Sequence, residues 1–209
     1  MFLNRKTIHN CPSYFQAGQD LFVLHALQRK RRGIYLEIGS ANPIVDNNTF
    51  VLEREFDWTG VSLEFREESV REFNAIRKNP CIAADAVSFN YKSYLDNNSF
   101  PRQIDYLQVD IAPAVSSLQV LKNLPHEDYR FSVITFEHER FAVGDKVMED
   151  SREFLSALGY RLAVANVAFE GNDFEDWWID PSVVPENAYK MLLQSSERNY
   201  PGLLNAIID

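Results

Sequence analysis

Five short apolar runs of this 209-residue chain each end on a carboxylate residue. They end at Glu37, Glu64, Asp85, Asp110 and Glu137, which lie about 21 to 27 residues apart. That interval fits one strand, one helix and two short connections. Because the carboxyl ends of parallel strands meet along one edge of a sheet, we expect the carboxylates to share one rim, which is where such sheets bind ligands.

The first run leads into Gly39 and Ser40, small residues that let a ligand approach the backbone at a helix N-terminus. A full GxGxxG fingerprint is absent, which counts against NAD. Glu64 is placed to accept hydrogen bonds from a ribose diol, and the alternative is a solvated carboxylate at a strand end. Asp85 is placed to accept from the exocyclic amine of adenine, and the alternative is a turn-forming side chain.

Strand and helix patterns alternate along the chain, which predicts an α/β fold with a doubly wound parallel sheet and helices on both faces. We predict strands at 34–39, 61–64, 82–85, 104–110, 131–137 and 160–166. Helices are predicted at 14–32, 47–56, 67–78, 114–124, 146–158 and 185–195, with Gly33 as a left-handed cap of the first. Periodicity assigns neither strand nor helix to 86–103.

Composition bounds the classes of function. With 45% hydrophobic residues the chain can bury one core, so we expect a single domain: a helical element at 1–32, a cofactor-binding core at 33–168 and an aromatic C-terminal segment at 169–209. The net charge of -9 and pI near 5.0 argue against nucleic acid as a partner. Cys11 and Cys81 have no disulfide or zinc spacing, and neither a membrane span nor a signal peptide is evident, so we expect a cytoplasmic protein with no membrane partner.

Several motifs together resemble the FkbM-type family of class I S-adenosylmethionine-dependent methyltransferases over nearly the whole chain. The resemblance lies in the segments 15–20, 35–39, 47–53, 58–64, 104–110, 118–122 and 133–138. It implies a Rossmann-like, mostly parallel seven-stranded sheet and methyl transfer to oxygen, often a hydroxyl of a sugar or secondary metabolite. One departure is Asp110-Ile111-Ala112-Pro113, where many relatives carry Asp-x-Glu-Gly, so that a second carboxylate is missing.

The resemblance also assigns residues to S-adenosylmethionine. Glu37, Gly39 and Ser40 would line the methionine moiety, Glu64 the ribose, and Asp110 the sulfonium and acceptor. The full set predicted to bind the cofactor is Glu37, Gly39, Ser40, Asn48, Glu64, Phe65, Asp85, Ala86 and Asp110.

His138 follows the fifth predicted strand between two glutamates, and we predict that it is the general base, with Asp110 as the second catalytic residue. The alternative for His138 is a structural or surface histidine. The set Asp110, Glu137, His138 and Glu139 is also a candidate site for magnesium or manganese.

The acceptor site is predicted to contain Glu137, Asp176, Trp177 and Trp178, because indole faces stack on sugar rings and carboxylates bind hydroxyls. Core packing of these aromatic residues is the equal alternative. Two rival functions stay open: a non-catalytic protein that binds S-adenosylmethionine or acts as a scaffold, and a nucleotide-sugar or NAD-dependent enzyme.

Overall fold

The computed structural model describes residues 16–188 and the backbone of 6–8 and 11–13. The strands are β1 Lys6–Ile8, β2 Cys11–Ser13, β3 Ile34–Ile38, β4 Thr59–Glu64, β5 Cys81–Ala83, β6 Gln103–Val109, β7 Arg130–Glu137, β8 Arg161–Phe169 and β9 Asn172–Ile179. The helices are α1 Gln19–Ala26, α2 Phe50–Phe56, α3 Glu67–Ile76, α4 Tyr91–Asn97, α5 Ala114–Asn123, α6 Arg140–Val143 and α7 Lys146–Ala157.

Seven strands form one sheet in the order β5-β4-β3-β6-β7-β9-β8. The pairs from β5 to β7 are parallel, whereas β9 runs antiparallel to both β7 and β8. The predicted seven-stranded, mostly parallel Rossmann-like fold is therefore confirmed. The antiparallel strand β9 carries the segment 172–179, which the periodicity left without a strand.

Alternate strand residues supply two hydrophobic cores, one on each face of the sheet. Tyr35, Tyr106 and Trp177 pack against α1 and α2. On the opposite face, Leu36 and Trp178 belong to a second core that includes residues of α5 and α7. The sheet is thus covered on both faces, as doubly wound sheets require.

Several predicted elements differ in detail from those observed. The first helix is α1, Gln19–Ala26, shorter than 14–32, and Gly33 is not a left-handed cap. Glycine is needed there for space, since a Cβ at Gly33 would lie 2.5 Å from the Trp58 ring. Part of 86–103 forms α4, whose N-cap Asn90 accepts from the Ser93 amide. Of the C-terminal helix, residues 186–188 are helical, and 189–195 lie outside the described residues.

None of the helices in the described part of the chain has the length and hydropathy of a membrane span.

Candidate functional site

A cavity of about 610 Å³ lies at the carboxyl ends of β3, β4, β5 and β6. Six of the nine residues predicted to bind a cofactor line it, namely Gly39, Glu64, Phe65, Asp85, Ala86 and Asp110. The sequence analysis missed the other lining residues, Ala41, Leu63, Arg66, Ala84, Val87, Ile111, Ala112 and Ser116. Most of them are chain neighbours of the predicted ones, so extending each strand-end motif by one or two residues would have found them.

Gly39 allows the end of β3 to pass directly beside the end of β6. Its φ is +90°, and a Cβ at this position would lie 1.7 Å from the carbonyl oxygen of Asp110. Its amide donates to the Leu63 carbonyl of β4. Only glycine fits this close approach without moving the backbone.

Glu64 is fixed by backbone donors and keeps acceptor capacity toward the cavity. Its Oε2 accepts from the Ala41 amide at 3.1 Å, and its Oε1 accepts from the Arg66 amide at 2.9 Å. The Arg66 Nε also donates to Oε1, at 3.4 Å. A carboxylate offers about four lone-pair sites, so these three donors leave about one site for a ligand hydroxyl. The adjacent Phe65 side chain is 77% exposed and presents an aromatic ring beside this carboxylate.

Asp85 is a turn-forming side chain that also lies at the cavity wall. Its carboxylate accepts from the Val87 amide at 3.0 Å and from the Ser88 hydroxyl at 3.0 Å, which makes it a turn-forming side chain. It also lines the cavity next to Ala86. The turn therefore holds an exposed carboxylate at the cavity wall.

Glu37, Ser40 and Asn48 do not line the cavity, although they were predicted to bind the cofactor. The Glu37 carboxylate is fully buried and accepts from the hydroxyls of Thr49 and Ser62. Burial raises its pKa, and Arg77 acts in the opposite direction. Ser40 contacts the Cys81 thiol at 3.4 Å. These residues lie behind the wall rather than in it.

Arg77 hydrogen-bonds several residues of this buried layer, and the sequence analysis predicted no role for it. Its guanidinium, with the side chain fully buried, donates to Glu53, Asn47 and Thr49. All three partners lie 24 to 30 residues away in the chain. No local pattern marks such a residue, since it stands among charged neighbours at the end of α3.

Three carboxyl groups form a row across β6, β7 and β9. Val109 pairs with Phe136, which sets Asp110 beside Glu137, and Glu137 pairs directly with Glu175. The Asp110 and Glu137 carboxyls are close enough for each to shift the pKa of the other. Two neighbouring buried carboxyls cannot both ionise readily, so the pair holds a proton.

Burial is the main cause that raises the pKa of each member of this row. Burial raises the pKa of Glu175 to about 8, although hydrogen bonds from the Gln19 amide and the Trp177 indole lower it. Burial and then the neighbouring Asp110 raise the pKa of Glu137 well above its ordinary value. Asp110 belongs to this row and also lines the cavity, so it connects the row to the candidate site.

His138 is fully buried and is absent from the cavity wall. Its Nδ1 accepts from the Arg140 amide at 3.2 Å, and its Nε2 lies 3.6 Å from Asp176. Burial alone would raise the pKa of Asp176, but the Arg152 guanidinium holds it below its ordinary value. These contacts favour the alternative that His138 is a structural histidine.

The predicted aromatic acceptor wall is part of the core. Trp177 is fully buried and stacks on Phe22 with ring centroids 4.8 Å apart. Trp178 is 1% exposed and packs on the opposite face of the sheet. The buried Asp176 is paired with Arg152. The structure therefore favours the core-packing alternative for these three residues.

Of the four predicted metal ligands, Asp110 and Glu137 are neighbours, but the set does not form a metal-binding group. No group of three or more histidine, cysteine or carboxylate side chains within the described residues is arranged to hold a metal ion. Glu139 instead accepts from the Ala114 amide at the start of α5, at 3.0 Å.

Comparisons with known proteins connect this fold to methyltransferases. No family model matches the chain, and no curated protein matches it. Among solved structures, the chain resembles the plantazolicin methyltransferase BpumL in complex with SAH (TM-score 0.52, 10% identity, covering 79% of this chain and 82% of that one). It also resembles an O-methyltransferase from Bacillus cereus in complex with SAH (TM-score 0.50, 17% identity, 82% and 84%). An rRNA methylase from Streptococcus thermophilus is similar too (TM-score 0.50, 8% identity, 78% and 93%). At these identities the likeness shows a shared fold.

Proposed function

We propose that this protein is an S-adenosylmethionine-dependent methyltransferase of the FkbM type that methylates a hydroxyl group of a sugar or secondary metabolite. The observation that carries the proposal is the cavity at the carboxyl edge of the sheet, where six residues predicted to bind the cofactor meet. Its volume of about 610 Å³ falls within the range of roughly 300 to 1,000 Å³ common for small-molecule sites. The edge is also where sheets of this type bind ligands.

The wall offers the donor and acceptor types that the cofactor needs. Glu64 would accept from the ribose hydroxyls, Phe65 would pack on the adenine ring, and Asp85 would accept from its amine. The main chain around Gly39 would border the methionine moiety. Bound S-adenosylmethionine would supply a methyl group already activated by the sulfonium charge.

The chain must then hold the acceptor hydroxyl and take up its proton. Asp110 lies at the cavity wall, next to the Glu137 carboxyl on the neighbouring strand. We therefore assign the proton-accepting role to Asp110 first. The role of His138 as general base stays a prediction. Because His138 is buried away from the cavity wall, separate substitutions of Asp110 and His138 distinguish the two candidates for the general base.

Charge supports a small acceptor rather than a nucleic acid. The chain carries a net charge of -9, and the row beside the cavity consists of Asp110, Glu137 and Glu175. Binding a phosphate backbone requires a basic surface. The negative charge would repel a phosphate backbone, whereas it does not repel a neutral hydroxyl compound.

Isothermal calorimetry with S-adenosylhomocysteine, compared with NAD under the same conditions, tests cofactor choice. We expect saturable binding of S-adenosylhomocysteine alone, weakened in Glu64→Ala and unchanged in Glu72→Ala, a variant of an exposed carboxylate on α3. Binding of NAD alone would support the rival NAD-dependent enzyme. Binding of neither would overturn the proposal.

A non-catalytic binding protein is the second candidate, favoured by one observation. The chain has Ile111-Ala112-Pro113 after Asp110, without the second carboxylate that many FkbM relatives carry. Release of S-adenosylhomocysteine over a panel of sugars, hydroxylated metabolites and a control RNA separates the two. Turnover on a hydroxyl compound supports the enzyme, whereas cofactor binding with no turnover on any acceptor supports the binding protein.

A further inference from the structure

We infer that Arg77 is a positioning residue for S-adenosylmethionine, because it fixes the cofactor loop, the segment 39–49 that joins β3 to α2. The inference rests on the proposed function and adds a residue that makes no contact with the cavity. Hydrogen bonds run from Arg77 through this loop to Glu64.

The guanidinium of Arg77 binds the loop at three points. Its Nη1 donates to the Pro43 carbonyl at 3.0 Å and to Asn47 Oδ1 at 2.9 Å. Its Nη2 donates to Thr49 Oγ1 at 3.0 Å, and its Nε donates to Glu53 Oε2 at 3.1 Å. One planar group thus joins the end of α3 to the loop and to α2.

From the loop, the contacts continue to the cavity wall. Asn47 Nδ2 donates to the Ser40 carbonyl at 3.2 Å. The next residue, Ala41, donates its amide to Glu64 Oε2 at 3.1 Å and itself lines the cavity. The position of Arg77 therefore sets the position of the backbone that orients the Glu64 carboxylate.

Lysine could not reproduce this arrangement. The Arg77 side chain is fully buried, and its guanidinium lies over the Phe73 ring at 4.6 Å and the Phe50 ring at 5.4 Å from the centroids. A planar fork can stack on rings and donate in several fixed directions, whereas an ammonium is a compact point charge. Glu53 balances the buried charge, with its side chain 7% exposed.

The test compares Arg77→Lys with a matched control, Arg54→Lys. Arg54 also lies near the Phe50 ring, at 5.7 Å, but is 48% exposed and pairs with Glu55 outside the cofactor loop. We expect Arg77→Lys to raise the dissociation constant for S-adenosylhomocysteine about 10-fold, a size typical of coupling through an intervening network. Arg54→Lys should leave it unchanged. Calorimetry is done well below the unfolding temperature of each variant.

Two readouts separate positioning from general loss of stability. We expect KM for S-adenosylmethionine to rise, whereas kcat at saturating cofactor should stay within about twofold of the wild-type value. In a double-mutant cycle with Glu64→Gln, we expect Arg77→Lys to add less than about threefold, because both changes act on one contact. If Arg77→Lys does not fold, Asn47→Ala takes its place in the same measurements.

The outcomes decide between the two proposals. An unchanged dissociation constant in Arg77→Lys, or effects that multiply fully with Glu64→Gln, would overturn the role of Arg77 while the proposed function stands. A wild-type chain that does not bind S-adenosylhomocysteine would overturn the proposed function and this inference with it.

Discussion

The buried carboxyl row predicts that this protein loses stability as the pH rises from about 4.5 to 8. Burial raises the pKa of Glu175 from an ordinary 4.5 to about 8. Across this window the folded chain keeps a proton on Glu175 that the unfolded chain has released. Folding then takes up a proton, so raising the pH lowers the free energy of unfolding.

The size of the effect follows from the two pKa values. Their difference corresponds to at most about 5 kcal/mol between pH 4.5 and pH 8, at about 1.36 kcal/mol for each pH unit. The raised pKa values of Glu37 and Glu137 contribute with the same sign. The stability of the wild-type chain should therefore fall by several kcal/mol over this range.

Urea unfolding, followed by the fluorescence of the buried tryptophans at pH 5, 6, 7 and 8, measures this slope. In Glu175→Gln the amide cannot ionise, so we expect a clearly shallower fall than in the wild-type chain. Glu72→Gln, which changes an exposed carboxylate on α3, should keep the wild-type slope. Parallel curves for the wild type and Glu175→Gln would refute the assignment of the proton to Glu175.

The remaining predictions concern the cavity. Glu64→Ala should weaken S-adenosylhomocysteine binding by about 1 to 3 kcal/mol in calorimetry, and unchanged affinity would remove Glu64 from the site. Gly39→Ala should abolish binding, since its Cβ would lie 1.7 Å from the Asp110 carbonyl oxygen; wild-type affinity there would contradict the close approach. Asp110→Asn should lower turnover about 10²-fold, and full turnover would end its role. His138→Ala should lower turnover equally only if His138 is the general base, so wild-type turnover in a folded variant would settle the residue as structural.

The acids at the carboxyl edge of the sheet were predictable because each is marked by the apolar run immediately before it in the chain. Glu64, Asp85 and Asp110 each end an apolar run, and parallel strands bring such ends together. The rule places an acid near the edge without fixing which way its side chain points. Glu37 lies in β3, two residues before Gly39, yet its carboxylate turns into the buried layer and accepts from Thr49 and Ser62.

The remaining differences come from contacts between distant parts of the chain. Burial of His138 depends on Asp176 and Arg152, which no spacing connects to it. The strand β9 is buried on both faces, so it lacks the alternation of polar and apolar residues that marks a half-exposed strand. For this reason the sequence around Trp177 and Trp178 resembles an exposed aromatic patch, although both residues lie in the core.

Photo-crosslinking of tritiated S-adenosylmethionine, with the labelled peptides identified by mass spectrometry, tests most directly whether this cavity holds the methyl donor. If the cavity holds the methyl donor, label is expected on peptides containing Phe65 or residues 84–87, and excess S-adenosylhomocysteine should abolish it. Specific label confined to peptides away from the carboxyl ends of β3 to β6, or no specific label at all, would contradict it.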